Sequence, residues 1–203
     1  MGSSVNGQGL VCGGRFVFYP QSANGWRFVQ RRRRPTPTGR SMSATATPFV
    51  SRVLEVEKGW IDYNGHMNMA YYNVLFDRCS DEAFEKLGMG PDYARERRLT
   101  TYTAEIHVCY VRELHLGDKV TCSFQLLDHD EKRFHVFQEL IHLDGWLAAT
   151  SEVLTLHVDM SGPKVCPFPA DILANIERMK AAHASLPPPE RAGRSIGIRR
   201  KAG

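Results

Sequence analysis

The chain has 203 residues, of which 42% are hydrophobic, 24% charged and 10% aromatic. That balance fits one soluble domain and leaves little room for two. No apolar run approaches the roughly 20 residues needed to cross a bilayer, so a membrane protein is not expected. Five cysteines (Cys12, Cys79, Cys109, Cys122 and Cys166) are odd in number, scattered and free of any CxxC pair. They suggest neither a disulfide framework nor a zinc site, and point to a reduced, cytoplasmic setting.

The formal charge of +4 would hint at nucleic-acid binding if it were spread evenly, but it is concentrated at the two ends. Residues 1–47 hold seven arginines and no acid, and residues 190–203 hold five basic groups against Glu190. Residues 48–189 carry 14 basic and 21 acidic side chains, a net −7. An acidic body with no aromatic-basic interleaving argues against a nucleic-acid partner.

Residues 1–47 are rich in Gly, Ser, Thr and Arg and include Arg31 to Arg34 followed by Pro35-Thr36-Pro37, a composition that cannot bury a core. An organelle transit segment and a basic arm for an anionic surface are both open readings. The favoured one is that Met42 is the natural start, because organised sequence begins only a few residues later.

From Phe49 the texture changes. Phe49, Val50, Val53, Leu54 and Val56 predict a first strand. The polar stretch Trp60-Ile61-Asp62-Tyr63-Asn64-Gly65-His66-Met67-Asn68 follows and leads directly into a helix. Asn68 suits the N-cap; Met69, Tyr72, Phe76, Ala83 and Leu87 recur at three- and four-residue spacing before Gly88. Tyr71, Val74 and Leu75 add apolar surface on a second side, so the helix is expected to be wrapped rather than laid on an open surface.

Residues 101–159 predict four consecutive strands. Tyr102, Ala104, Ile106, Val108 and Tyr110 alternate, Gly117-Asp118 turns, and Val120, Cys122, Phe124 and Leu126 alternate again. Asp128 to Lys132 supplies a turn, Phe134, Val136 and Leu140 mark the next strand, and the hairpin signal Asp144-Gly145 introduces Trp146 to Val158. After Pro167-Phe168-Pro169, the spacing of Ile172, Leu173, Ile176 and Met179 predicts a shorter helix, stopped by Pro187-Pro188-Pro189. The expectation is an α+β chain: a five-stranded antiparallel sheet around one long central helix over residues 48–160, a helical extension over 161–189 and a basic tail over 190–203. A lone sheet wrapped on one helix leaves its edges unused, which favours an oligomer.

Asp62, Asn64, His66 and Asn68 place a carboxylate, two amides and an imidazole within seven positions. A helix start exposes unpaired N–H groups carrying positive partial charge, which can polarise a carbonyl. A carboxylate beside it can attack or activate water, so the pair suits acyl transfer. Each residue also has a structural reading: Asn68 as cap, His66 as a loop-ordering hydrogen-bond partner, Asn64-Gly65 as a turn and Asp62 as a turn residue. The eight histidines show no recognised ligand spacing, and no metal role is expected.

Asp62-x-x-Gly65-His66-x-Asn68, with Tyr71 and Tyr72 behind it, resembles the signature of the 4-hydroxybenzoyl-CoA thioesterase group of hotdog-fold acyl-CoA thioesterases. Tyr110-x-Arg112-Glu113 and Gly117-Asp118 resemble that group's strand-turn-strand, and the likeness covers about residues 49–160. It implies that Asp62 is the nucleophile or general base and that the oxyanion donor is the Met69 main-chain amide. It also implies a homodimer or homotetramer with sites between subunits. The group's founding member has Asp-Pro-Ala-Gly without His-x-Asn, so His66 and Asn68 have no counterpart there. The C-terminal helix and Ala192-Gly193-Arg194-x-Ile196-Gly197 resemble the thioesterases of bacterial carnitine breakdown, which suggests a betainyl-CoA substrate. Trp60, Tyr63 and Trp146 are aromatic faces suited to its quaternary ammonium, with Asn64, Gly65, Tyr71 and Tyr72 as further substrate contacts. Arg112, Lys132 and Arg133 are candidates for the coenzyme A phosphates. No cofactor beyond the coenzyme A of the substrate is implied. A hotdog enoyl-CoA hydratase, or a non-catalytic acyl-CoA or nucleic-acid binder, are the alternatives.

Overall fold

The computed structural model describes residues 48–198; the arm expected over residues 1–47 lies outside them. Seven strands form one antiparallel sheet: β1 (Phe49–Val50), β2 (Leu54–Glu55), β3 (Leu99–Tyr110), β4 (Lys119–His129), β5 (Arg133–His142), β6 (Leu147–Asp159) and β7 (Lys164–Val165). The order is β1-β4-β5-β6-β3, with β2 also on β4 and β7 on β6. Three helices accompany it: α1 (Met69–Leu87), α2 (Pro91–Arg97) and α3 (Ala170–His183). Counting β1 and β2 as one interrupted strand, and apart from the two-residue β7 added on β6, this is the expected five-stranded sheet around a central helix.

The predicted first strand is split by its own sequence. Ser51 N–H donates to Cys122 O at 2.8 Å, while Cys122 N–H donates at 3.0 Å to the Ser51 hydroxyl instead of to a carbonyl. That side-chain acceptor interrupts the ladder, which resumes at Leu54↔Val120. Three short elements were not predicted, one of them a single 3-10 turn at Lys58–Trp60. Helix α2 uses Pro91 in its first turn, where the missing N–H costs nothing, and ends at Arg98 with φ 57° rather than at a glycine. The third is β7.

Helix α1 is the core. Leu75, Phe76, Cys79, Ala83 and Leu87 are all at most 2% exposed, and they meet Val120, Phe124, Leu126, Phe134, Val136 and Leu140 from the sheet. Phe84 packs edge-on to both Phe124 and Phe134. Gln138, 1% exposed, donates to Phe76 O at 3.0 Å and to the Ser80 hydroxyl at 3.1 Å, so one buried polar side chain fixes the helix against β5. At the other end Gly88 is left-handed (φ 84°), and Asn175 of α3 donates to Leu87 O at 2.9 Å.

Two buried imidazoles tie the periphery down. His183 Nδ1 accepts from Leu126 N–H at 2.9 Å, holding the end of α3 on β4. His157 lies 2.7 Å from the Tyr93 hydroxyl through Nε2 and 2.9 Å from Cys166 O through Nδ1, which together suit a neutral ring with the proton on Nδ1. Burial pushes both histidines below their ordinary pKa and pushes the Tyr93 phenol up. The unfolded chain therefore binds more protons than the native one below about pH 6.5. Stability is expected to rise with pH up to that value and to lose this dependence above it. Urea midpoints measured from about pH 5 to about pH 8 check this; a profile flat across the acid half would contradict buried neutral imidazoles.

Candidate active site

The polar stretch at residues 60–68 forms a tight hairpin. Asn68 N–H donates to Trp60 O at 2.9 Å, Asp62 N–H to His66 O at 3.0 Å, and Ile61 bridges Met67. Its turn runs from Asp62 to Gly65: Gly65 N–H returns to Asp62 O at 3.1 Å, Asn64 N–H donates to Asp62 Oδ1 at 2.8 Å, and Gly65 takes φ 84°. Asn-Gly is thus a turn, with the left-handed position filled by the residue that tolerates it. The hairpin is fastened to segment 111–118 because Met67 N–H donates to Leu114 O at 2.7 Å. Leu114 is fully buried, and its N–H donates to the Tyr72 hydroxyl at 3.1 Å.

The hairpin delivers the chain to the start of α1. Asn68 is the N-cap, its Oδ1 accepting from Ala70 N–H at 3.0 Å, and Tyr71 N–H bonds Asn68 O. In this first turn the Met69 N–H has no protein acceptor among the described residues. The turn carries no acidic side chain, and Met69 itself is 65% exposed. A free amide, the positive end of a 19-residue helix and an open approach coincide there. Asp62 is half-buried with Oδ1 engaged by Asn64 N–H, while Oδ2 has no described partner. The Tyr110 hydroxyl donates to Met69 O at 3.2 Å and its ring packs edge-on to Tyr72, so β3 steadies the helix start.

The remaining sequence-derived residues divide by place. Trp60 and Tyr72, expected as substrate contacts, are buried (5% and 4% exposed). Trp60 stacks on Tyr71 at 5.5 Å and carries the Arg78 guanidinium at 4.8 Å; the Tyr72 hydroxyl is taken by Leu114. Trp146 is likewise covered, by His142 at 4.5 Å and by Arg112 at 4.1 Å. Within one chain neither tryptophan therefore offers the free face expected of it. Tyr63, at the hairpin tip, is 97% exposed and does. His66 is half-buried, its ring edge-on to His115 at 5.5 Å.

Of the basic residues, Arg112 lies on the segment next to the hairpin. Lys132 and Arg133 do not: register places Arg133 opposite Leu156 and Leu156 opposite Tyr102, at the far end of β3 from Tyr110. There Arg133 pairs with Asp130 at 2.6 Å, holding that carboxyl below its ordinary range, and Lys132 pairs with Glu131 at 3.0 Å. Sequence reasoning missed Leu114 and Tyr110 as supports of the helix start. The only signal available was their alternation with exposed neighbours, which does not report contacts 41 residues away.

Comparison with known proteins places the chain in a family. Residues 56–176 match the model of the thioesterase-like superfamily, and the chain belongs to it. A betainyl-CoA thioesterase of Pseudomonas aeruginosa is 35% identical over 158 residues, covering 77% of this chain and 98% of that protein. An L-carnitine dehydrogenase/betainyl-CoA thioesterase of Rhizobium meliloti is 38% identical over 148 residues, 72% of this chain but 29% of that longer protein. A hypothetical protein of Staphylococcus aureus, solved in complex with CoA, has a TM-score of 0.71 and 29% identity, covering 75% of this chain and 96% of that one. Among the described residues no helix is long and apolar enough to cross a membrane.

The cap generates a prediction. Asn68→Ala, which strands the Ala70 amide, should cost about 1 kcal/mol of stability, whereas Asn68→Asp, which keeps an acceptor, should retain it. Denaturant unfolding of both variants checks this, and equal losses would refute the capping role.

Proposed function

We propose that the chain hydrolyses a small acyl-CoA thioester to the free acid and coenzyme A, with Asp62 and the Met69 amide as its chemical groups. What supports this is Asp62, its Oδ2 uncommitted, on the hairpin that runs directly into a capped helix start whose Met69 amide is unpartnered among the described residues, in a chain of the thioesterase-like superfamily. Asp62 Oδ2 attacks the thioester carbon, or takes a proton from a water that does; the negative charge that develops on the carbonyl oxygen is met by the Met69 N–H. Collapse of the tetrahedral adduct breaks the C–S bond and releases the thiolate of coenzyme A, which takes up a proton. In the attacking route, water then cleaves the Asp62 anhydride. Asn68 positions the free amide by capping, and Tyr110 holds Met69 from its carbonyl side.

The names of the two curated relatives support betainyl-CoA as the substrate to test first. For its quaternary ammonium, Tyr63 is the open aromatic face on the hairpin. Purified protein should release thiol from members of a panel of short, branched, aromatic and betainyl thioesters. Asp62→Asn, which keeps shape but loses the anion, should lower kcat by about 100-fold or more. Full activity in that variant would remove Asp62 from the mechanism. Loss of enoyl absorbance without thiol release would indicate a hydratase instead.

The site is completed by a second copy in this reading. β3 is a free sheet edge of 12 residues without lysine or proline, and Tyr102, Ile106 and Tyr110 on it are each 46% exposed. An edge of that length and apolarity is a template for strand pairing. The wild-type chain should run as a dimer or larger in light-scattering chromatography, and Ile106→Lys should shift it toward monomer and lower activity together. A monomeric, fully active wild-type protein would contradict the shared site.

A further inference from the structure

Beside the hairpin is a cluster that hydrolysis does not use. Leu114 is buried and anchored on both sides, by Met67 N–H to its carbonyl and by the Tyr72 hydroxyl to its amide. Its neighbours Glu113 and His115 therefore project outward, and both are exposed. On the facing strand of the hairpin, Met67 is buried and His66 turns out beside them. One donor atom from each of His66, Glu113 and His115 lies within 4.8 Å of the other two. Neither the His66 ring nor the Glu113 carboxylate has an ion pair or hydrogen bond among the described residues.

We propose that His66, Glu113 and His115 form a binding site for a divalent transition-metal ion of the zinc class. Tetrahedral zinc, with bonds of about 2.0–2.2 Å to nitrogen and oxygen, wants its ligands roughly 3.4 Å apart. Glu113 and His115 are exposed and His66 is half-buried, so the site needs only side-chain rotation to shorten separations of up to 4.8 Å. Two imidazoles with one carboxylate select zinc and its neighbours cobalt, nickel and copper over magnesium and calcium, which demand oxygen. The support around the site fits as well. His115 Nδ1 stands 3.8 Å from Asp118 Oδ2, which also accepts the His115 N–H at 2.8 Å. In the proposed site this carboxylate stands on the Nδ1 side of the ring, where it can take up the Nδ1–H as the ion binds through Nε2. Three protein ligands leave a fourth position for water or an incoming donor atom. A bound ion fastens His66, four positions after Asp62, to segment 113–115, so metal occupancy stiffens the hairpin that carries Asp62.

The test uses the full chain, free of any affinity tag, titrated with zinc in competition with a chromogenic chelator at about pH 7. A single equivalent is expected to bind, His115→Ala and Glu113→Gln each weakening it by about 10-fold or more. Zinc should also raise the melting temperature of the wild type and not that of His115→Ala, since an ion bound only by the native state stabilises it. Both substitutions are at exposed positions, and matching metal-free melting curves establish that the variants are folded. Absence of stoichiometric binding, equal affinity in wild type and both variants, or binding abolished instead by Cys109→Ser or Cys166→Ser, would each overturn the site. These readouts involve no turnover, so the site stands or falls separately from the Asp62 assignment.

Discussion

Everything at the active end depends on where helix α1 is held. Leu75, Phe76, Cys79, Ala83 and Leu87 are sealed against the inner face of the sheet, and large apolar side chains of this kind contribute about 1.5–3 kcal/mol each on burial. Helix sliding would expose Leu75, Phe76 and Leu87 together, a cost of about 5–9 kcal/mol that is comparable to the whole stability of a typical domain. Gln138 adds direction to this adhesion, since its amide reaches the Phe76 carbonyl and the Ser80 hydroxyl only in one helix rotation. With the helix fixed, its first turn falls beside Leu114 and Tyr110, and the preceding residues must fold back to reach it. The hairpin at 60–68 is that return, so Asp62 is tied by backbone pairing to the segment that runs into the helix start.

This explains what the sequence could reveal. The helix was legible because its apolar spacing, its Asn68 cap and its Gly88 stop are all local, and each has the geometry those residues favour. The strands were legible by alternation, with Gly117 and Gly145 at φ 82° and 87° in the turns expected of them. Asp62 stood out for the density of polar groups around it. The contacts that support the helix start beside its hairpin are different in kind. Tyr110 to Met69 and Tyr72 to Leu114 join residues 41 and 42 positions apart, and no pattern within a window reports them. The break in the first strand was hidden for a similar reason, since Ser51 reads as an ordinary polar residue until Cys122 is beside it.

The tryptophans show the same limit in side-chain chemistry. A tryptophan near a polar hairpin suggests an aromatic face for a substrate cation, but in the single chain Arg78 lies on Trp60 and Arg112 on Trp146. The cations are the protein's own. Each indole also stacks on a second ring, Tyr71 for Trp60 and His142 for Trp146, so these stacks serve as braces. Arg78 also pairs with Glu57 at 2.9 Å, linking α1 to the segment before the hairpin.

The basic residues at the two ends of β3 bear on how a ligand as long as coenzyme A is accommodated. Within one chain, Arg112 stands near the helix start, while Lys132 and Arg133 sit level with Tyr102, eight residues along β3 from Tyr110. Eight residues of strand is roughly 27 Å, too far for groups cooperating on one phosphate cluster. Antiparallel pairing of two β3 edges about a two-fold near the middle of the strand changes this, because it sets the Tyr102 end of one copy beside the Tyr110 end of the other. The turn that carries Lys132 and Arg133 then approaches the partner's helix start. Asp130 and Glu131 neutralise these cations at present, and exposed pairs of this kind contribute little. Exchanging a carboxylate for a phosphate is thus inexpensive, and an oligomer would bring together what the single chain keeps apart.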